Sequence, residues 1–267
     1  MFPLDPQDRC ATSQRRLIKQ LRKSDVRGAD CLADILARCS PAAPCGSAAC
    51  YACGLKFQAA AVELVERFVR LPSREHARGR MTAITFIPTI GCVEPDELTA
   101  DVFLRVRAKV KAALETVSLP PFVVGIEASF NEDLTEEVDQ HWCGHAHGIG
   151  YGWLSAEQES ELRAAFPRSA MVKRPILIDC LDKEINGRLY AFKPERNRRQ
   201  TYLVAKPKRG RNPYRDTRRK SLRPWQAVKL AMVEHDVGFD GRLLTHGLDE
   251  GVVKQHSDGW KWARDGP

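Results

Sequence analysis

The chain has no apolar run long enough to cross a membrane, and its first residues lack the apolar core of a secretion signal. The stretch from Met1 to Lys23 is instead polar and basic. We therefore expect a cytoplasmic protein with no membrane partner. The nine cysteines are an odd number, and without a secretion signal metal binding explains the clustered ones better than disulfides do. The chain also has no internal repeat.

What is present indicates a globular protein that binds a polyanion. With 267 residues, 43% of them hydrophobic and 28% charged, the chain can bury a real core and suits one large or two small domains. The formal net charge is +8, and the excess lies late in the chain. This balance favours nucleic acid as the partner, with an anionic membrane surface second.

A cluster of cysteines lies in a short stretch that is punctuated by proline and glycine. Cys50 and Cys53 form a CxxC pair, and Cys39 and Cys45 supply a looser second pair. Four thiolates this close together predict a structural tetrahedral Zn²⁺ site, although the spacing is not that of a standard zinc finger. The alternative is a set of buried free thiols, because cysteine is a common core residue.

Hydrophobic periodicity predicts an α+β fold. Helices are expected within 13–40 and at 55–71, 95–117, 155–166 and 225–235, with a helix or turn at 186–193 and a short closing element at 238–248. Strands are expected at 81–87, 122–130, 140–150, 174–181 and 200–205. The order β, α, β, β, α, β predicts an antiparallel sheet of about five strands in the split βαβ class, with helices packed on one face.

The same pattern predicts three regions. Residues 1–75 form a helical N-terminal region that contains the four-cysteine zinc-binding segment, and a basic connector follows it. Residues 76–206 form the catalytic domain. Residues 207–267 form a basic linker and a C-terminal helical extension.

Two histidines that alternate around one alanine indicate a second metal site. On a β-strand His145 and His147 point to the same face, so their imidazoles converge. Glu127 lies amid apolar residues on the preceding predicted strand and can complete the site if the two strands pair. Two imidazoles and a carboxylate with open positions suit Mg²⁺ or Mn²⁺ bound together with a phosphate. The alternatives are a solvent-facing or ion-paired Glu127 and, for His141, an exposed histidine rather than an extra ligand.

Tyr190 and Lys193 form a second constellation. At helical spacing their hydroxyl and ammonium groups are neighbours, and a phenol is a usable nucleophile toward phosphorus if metal and cation stabilise the developing charge. The alternative is a core tyrosine beside a surface lysine.

A dense run of basic residues follows this pair in the sequence, and we expect it to contact DNA phosphates. The DNA-binding candidates are Arg196, Arg198, Arg199, Lys206, Lys208, Arg209 and Arg211.

Together these motifs resemble those of the HUH endonucleases, which include the rolling-circle replication initiator (Rep) proteins of plasmids and phages, relaxases and transposases. The stretch His145–His147 is similar to their His-hydrophobe-His motif, and Tyr190–Lys193 is similar to their Tyr-x-x-Lys motif. The strand Thr82–Phe86 is loosely similar to their first motif, and Glu127 fills a common acidic position. An upstream cysteine cluster with CxxC also resembles that of many plasmid initiators. The resemblance spans roughly residues 39–206 and implies an HUH-like sheet.

The resemblance implies sequence-specific nicking and joining of DNA, either single-stranded or as an origin hairpin, with a host helicase as a further partner. The Tyr190 hydroxyl attacks phosphorus, which gives a 5′-phosphotyrosyl link and a 3′-OH that primes replication. Lys193 orients the phosphate or stabilises negative charge. Mg²⁺ or Mn²⁺ at the histidine site polarises the scissile phosphate. The motif holds one tyrosine, so a two-tyrosine mechanism is not expected. Tyr202, with Lys206 four residues later, is a rival nucleophile.

Three alternatives stay open. A transposase or relaxase performs the same chemistry. A noncatalytic zinc-dependent nucleic-acid-binding protein keeps the cysteine site without the reaction. A metal-dependent hydrolase that uses bound water needs a general base, and the sequence offers no candidate for one.

Overall fold

The computed structural model of the protein describes residues 6–69, 81–181, 190–205 and 212–248. These ranges contain six α-helices: α1 (Pro6–Leu21), α2 (Ala29–Arg38), α3 (Tyr51–Val69), α4 (Ala100–Thr116), α5 (Ala156–Ala165) and α6 (Pro224–Arg242). They also contain eight strands: β1 (Met81–Phe86), β2 (Cys92–Val93), β3 (Phe122–Asp133), β4 (His141–Tyr151), β5 (Ile176–Leu181), β6 (Asn197–Val204), β7 (Tyr214–Ser221) and β8 (Leu243–His246). A short 3₁₀ helix, Thr89–Gly91, precedes β2.

The predicted α+β class is confirmed, and the helices and strands predicted within the described residues are present with shifted ends. The helix that begins after Ser155 shows how local signals act. The Ser155 hydroxyl accepts from the Gln158 amide, and the Gln158 side chain accepts from the Ser155 amide, so both donors at the start of α5 are satisfied. None of the helices in the described ranges is both long and apolar enough to span a membrane.

The sheet is mixed, and the prediction of a purely antiparallel sheet of about five strands is wrong. Its main path runs β5-β1-β4-β3-β6-β7, while β2 pairs with β4 and β8 with β3. The first four of these strands pair antiparallel, but β6 joins β3 in parallel. The strand β6 follows β5 in sequence yet lies on the far side of β3, and a pattern of local periodicity cannot reveal such a distant partner.

Strand β7 was missed because its sequence has no apolar alternation. Nearly all of its residues are exposed, and four of its eight are arginine or lysine. It is held by antiparallel pairing with β6 along its whole length. The basic run after residue 211 is therefore part of the sheet rather than a loop.

Helices cover both faces of the sheet, so the expectation of helices on one face is also wrong. Val124 and Ile126 of β3 join an apolar cluster with residues of α4 and α5. Val123, on the opposite face of the same strand, joins a second cluster with residues of α1, α2 and α3. Helix α6 contributes to both clusters. The division into three regions stays a prediction, and residues 182–189, which include part of the predicted 186–193 element, lie outside the described residues.

Candidate functional site

The pairing of β3 with β4 brings the predicted metal ligands together. Glu127 lies directly across from His145, and Gly125 lies across from His147. Because side chains alternate along strands, all of these positions share one face of the sheet. That face is the one covered by the N-terminal helices, and both histidines are buried there.

Glu127 is the centre of the group. Its Oε1 lies 2.9 Å from Nε2 of His145 and 3.0 Å from Nε2 of His147. Nδ1 of His145 lies 2.9 Å from the Cys143 carbonyl oxygen, which can only accept, so Nδ1 carries the hydrogen. In a neutral imidazole the Nε2 lone pair then faces the carboxylate. Two acceptors facing each other at this distance require a cation or a proton between them.

The three ligand atoms can hold a metal ion. Nδ1 of His147 lies 2.9 Å from the Thr85 hydroxyl, so both rings are oriented through their Nδ1 atoms, as in many metal centres. Ligand atoms about 2.1 Å from an octahedral ion and at right angles lie about 3.0 Å apart. The observed separations between the carboxylate oxygen and the two imidazole nitrogens match that spacing.

Electrostatics keep Glu127 and His147 in their metal-binding forms at neutral pH. Burial opposes ionisation of Glu127, but the Lys193 ammonium and the two histidines outweigh it and hold its pKa well below the usual value. Burial is also the main reason why the pKa of His147 falls to about 4, although Glu127 acts in the opposite direction. Metal ligands must be a deprotonated carboxylate and neutral imidazoles.

Tyr190 and Lys193 lie next to the candidate metal ligands. Lys193 Nζ is 2.5 Å from Oε1 of Glu127 and 4.0 Å from the centroid of the Tyr190 ring. The Tyr190 ring stands edge-on to His147, with 5.1 Å between ring centroids. The predicted nucleophile, lysine and metal ligands therefore meet on one face of the sheet.

Tyr202 lies away from the candidate metal ligands. It lies on β6 two residues after Gln200, whose amide binds Glu132 on the opposite side of the sheet, so Tyr202 faces that side too. Its hydroxyl donates to Asp216 on β7 at 3.2 Å. Of the two tyrosines proposed as nucleophile, only Tyr190 is near the histidine pair. His141 is likewise no ligand of this group, since its two ring nitrogens bind the Asp139 carbonyl and Asn131.

The basic residues predicted to bind DNA have different surroundings. Arg196 is buried and ion-paired with Glu234, so its guanidinium has no access to a phosphate and supports the fold instead. Arg198 pairs with the buried Glu132. Arg199 lines the cavity next to Glu127 and Tyr190. The other predicted positions lie outside the described residues: Lys206, Lys208, Arg209 and Arg211.

Sequence reasoning placed Arg219 of β7 in the basic run but gave it no role beside Tyr190. Its guanidinium donates to the Tyr190 hydroxyl at 2.6 Å and lies 5.0 Å from the ring centroid. It also faces Arg199 directly across the ribbon formed by β6 and β7. No local signal separates Arg219 from its basic neighbours, because only the strand pairing aims it at the tyrosine. The role of Thr85 was equally hidden, although its strand was predicted.

The four clustered cysteines form a second candidate metal centre. Sγ of Cys39 lies 3.5 Å from that of Cys50 and 3.6 Å from that of Cys53, and the Cys45 and Cys53 sulfurs are 3.8 Å apart. Four sulfurs bonded at about 2.3 Å to a tetrahedral ion lie about 3.8 Å apart. All four thiols can hold a metal ion.

Backbone and side-chain donors point at these sulfurs. The amides of Cys45 and Cys53 donate to Cys39 and Cys50, and the Gln14 side chain from α1 donates to Cys50. Hydrogen bonds from Cys45 and Cys50 lower the pKa of Cys53 to about 4, which favours a thiolate there, whereas hydrogen bonds with Cys50 and Cys53, together with burial, raise the pKa of Cys45. All nine cysteines lie in the described residues, and none of them is in a disulfide bond.

Comparisons with protein-family models, with curated proteins and with solved structures found no match to this chain. The residues of the site therefore carry the functional argument by themselves.

Proposed function

We propose that the protein is a metal-dependent DNA-nicking and joining enzyme of the HUH type, which uses Tyr190 as its nucleophile to initiate rolling-circle replication. The observation that carries this proposal is the meeting of Tyr190 and Lys193 with Glu127, His145 and His147 on one face of the sheet. Each motif alone has a simpler explanation. Their convergence supports phosphoryl transfer to tyrosine.

The proposed reaction begins when the Tyr190 oxygen attacks the scissile phosphorus. The Tyr190–phosphorus bond forms, the bond from phosphorus to the 3′ oxygen breaks, and the proton lost by the Tyr190 hydroxyl is balanced by the proton that the 3′ oxygen takes up from solvent to become a 3′-OH. Mg²⁺ or Mn²⁺ at Glu127, His145 and His147 would supply Lewis-acid stabilisation of the phosphate charge. Lys193 and Arg219 flank the tyrosine ring and stabilise negative charge on its oxygen and on the phosphate. Reversal of the attack rejoins the strand.

The surroundings of the tyrosine suit a single DNA strand. Arg199 and Arg219 lie side by side on β6 and β7, beside the cavity that holds Tyr190 and Lys193. Cationic side chains contact DNA phosphates, and the formal charge of +8 draws a polyanion to the molecule. We propose that the strand crosses the β6–β7 face on its way to the histidine pair.

Covalent capture tests the nucleophile. A randomised library of single-stranded DNA, labelled at its 3′ end, is incubated with the protein and Mn²⁺ and then denatured. A 5′-phosphotyrosyl link leaves the labelled 3′ fragment on the protein, so we expect a denaturation-resistant labelled band. The Tyr190→Phe variant lacks the attacking oxygen and should give none.

Tyr202→Phe is the matched control, because it removes the rival hydroxyl on the opposite face of the sheet. This variant should form the adduct at the wild-type rate. Loss of the adduct in Tyr202→Phe but not in Tyr190→Phe would make Tyr202 the nucleophile. If no adduct forms while the protein still retains DNA, the noncatalytic nucleic-acid-binding alternative replaces the proposal.

Replication initiation adds a second requirement, because transposases and relaxases share the chemistry. The released 3′-OH must be extended by a DNA polymerase while the protein stays attached to the 5′ end. Sequencing of captured fragments gives the target, and the position of that target in the host element separates an origin of replication from a transposon end or transfer origin.

A further inference from the structure

We infer that the cysteine cluster positions the segment that carries Tyr190 and Lys193, so that metal loading at Cys39, Cys45, Cys50 and Cys53 controls the alignment of a site on the sheet. Residues 39–54, which hold the four cysteines, form the knuckle. The activity part of this inference rests on the proposed function, whereas its structural part does not.

The first contact joins Gly54 of the knuckle to Pro194, which follows Lys193 directly. A Cβ added at Gly54 would lie 2.8 Å from the Cβ of Pro194, closer than real side chains approach. Only glycine allows helix α3 to come this near to the segment. Gly54 itself directly follows Cys53, so a shift of that ligand moves the contact.

The second contact is polar and buried. The Arg196 guanidinium stacks 4.6 Å from the ring centroid of Tyr51, which lies between Cys50 and Cys53 in the sequence. The same guanidinium donates to the carbonyl of Ala48, in the loop that leads to Cys50, at 2.9 Å. Two residues of the 190–196 segment are thus attached to the knuckle on either side of a metal ligand.

The sheet closes the segment from the other side. A Cβ added at Gly125 of β3 would clash with the Ala191 carbonyl oxygen and lie 3.0 Å from the Phe192 ring. Ala191 and Phe192 share one apolar cluster with Cys50, Cys53 and Phe57. The 190–196 segment therefore packs between β3 and the knuckle. This packing sets the position of Lys193 relative to Glu127.

The part of the knuckle before α3 has no regular backbone ladder. Besides the cysteines, it is held by hydrogen bonds to the side chains of Gln14, Arg196, His235 and Arg242. Between the end of α2 at Arg38 and the start of α3 at Tyr51 there is no helix or strand. In small sites of this kind metal–sulfur bonds replace a regular hydrogen-bond network, and loss of the metal unfolds the loop. Release of the knuckle would loosen both contacts to the 190–196 segment, while β3 and β4 keep their own ladder.

Hydrogen exchange measured by mass spectrometry tests the structural part without DNA. Full-length protein is compared with and without a zinc-selective chelator in excess Mg²⁺. We expect faster exchange in peptides covering 39–54 and 190–196, unchanged exchange in β3 and β4, and recovery when Zn²⁺ is returned. Unchanged exchange at 190–196 while the knuckle opens would overturn the inference.

The variant Gly54→Ala tests the contact if chelation unfolds the whole protein. Alanine is the better helix residue, so the added methyl should perturb Pro194 and not α3. We expect one zinc per chain as in the wild type, faster exchange at 190–196, and adduct formation reduced about a hundredfold with unchanged retention of single-stranded DNA. Ala52→Ser, an exposed change of similar size in the same helical turn, should behave as the wild type.

The outcomes separate this inference from the proposed function. If the wild type forms no adduct but exchange at 190–196 still depends on zinc and on Gly54, the positioning role stands and the nicking proposal falls. If the adduct forms while Gly54→Ala matches the wild type in exchange and rate, nicking stands and the positioning role is refuted.

Discussion

At the scale of single residues, two hydrogen-bonding partners set the direction of the imidazoles. The Cys143 carbonyl holds Nδ1 of His145, and the Thr85 hydroxyl holds Nδ1 of His147, so both Nε2 atoms face Glu127. Partners of this kind fix ring orientation and raise ligand basicity. The strand β1 therefore takes part in the candidate metal centre without supplying a ligand.

Removal of the Thr85 hydroxyl should weaken metal binding. We expect Thr85→Val, which keeps the side-chain shape, to lower Mn²⁺ affinity about tenfold, because His147 loses the partner that orients it. Electron paramagnetic resonance of free Mn²⁺ measures this. The control is Thr82→Val on the same strand, whose hydroxyl binds the Gly152 carbonyl and no histidine. Equal losses in both variants would argue for a general effect on β1.

Arg219 should matter for the reaction and not only for binding. We expect Arg219→Gln to slow adduct formation about a hundredfold, because one donor to the attacking oxygen is lost. Arg218 is the matched control, since it carries the same charge but points to the opposite face, where it binds Gln200 and Tyr202. If Arg218→Gln slows the reaction equally in single-turnover assays, bulk charge explains the effect.

At the scale of elements, the ribbon of β6 and β7 is anchored to β3 by a buried carboxylate. Glu132 of β3 is 2% exposed and accepts from Arg198 of β6 and from Arg223 at the start of α6. Gln200 adds a further hydrogen bond to it. A parallel strand joined to β3 over only four register pairs is thus anchored by charge as well as by its ladder.

We expect Glu132→Gln to lower the free energy of unfolding by about 2 kcal/mol, since two arginines lose their counter-charge but retain some solvent. Urea denaturation followed by circular dichroism measures the change. Glu115→Gln is the control. Its exposed pair with Lys111 is solvated, so the cost should stay below about 1 kcal/mol. Equal costs would mean that Glu132 anchors nothing beyond a surface pair.

At the scale of the whole molecule, a second buried carboxylate joins three parts of the chain. Glu234 of α6 pairs with Arg196, ahead of β6, and with Arg242 at the end of α6. Both arginines also donate to the Ala48 carbonyl in the knuckle, and Arg242 reaches the Ile126 carbonyl of β3. The N-terminal helices, the sheet and the C-terminal helix meet at this point.

Because both arginines are almost fully buried, loss of their partner should cost more than loss of Glu132. We expect Glu234→Gln to reduce the free energy of unfolding by about 3–5 kcal/mol. The same urea titration, run beside Glu132→Gln, gives the comparison. A smaller loss for Glu234→Gln than for Glu132→Gln would contradict the proposed role of this cluster.

Much of the candidate site can be predicted from local patterns in the sequence. Alternation along a strand places His145 and His147 on one face, and four close cysteines indicate a tetrahedral site, because both arguments need only local geometry. The surroundings of residues whose partners are distant in the chain could not be predicted in this way. Arg196 belongs to a basic run, yet it is buried, because Glu234 lies opposite it in the fold.

The sequence by itself determined the ligand types, the strands and helices that carry them, and the α+β class, because periodicity and spacing are properties of short segments. Only the tertiary structure decided that β6 joins β3 in parallel, that Tyr190 and not Tyr202 meets the histidines, and that Arg219 reaches the tyrosine hydroxyl. The physical reason is the same in each case. A pairing between residues far apart in the chain depends on the stability of the whole packed sheet. The sequence of a short segment carries no information about that stability.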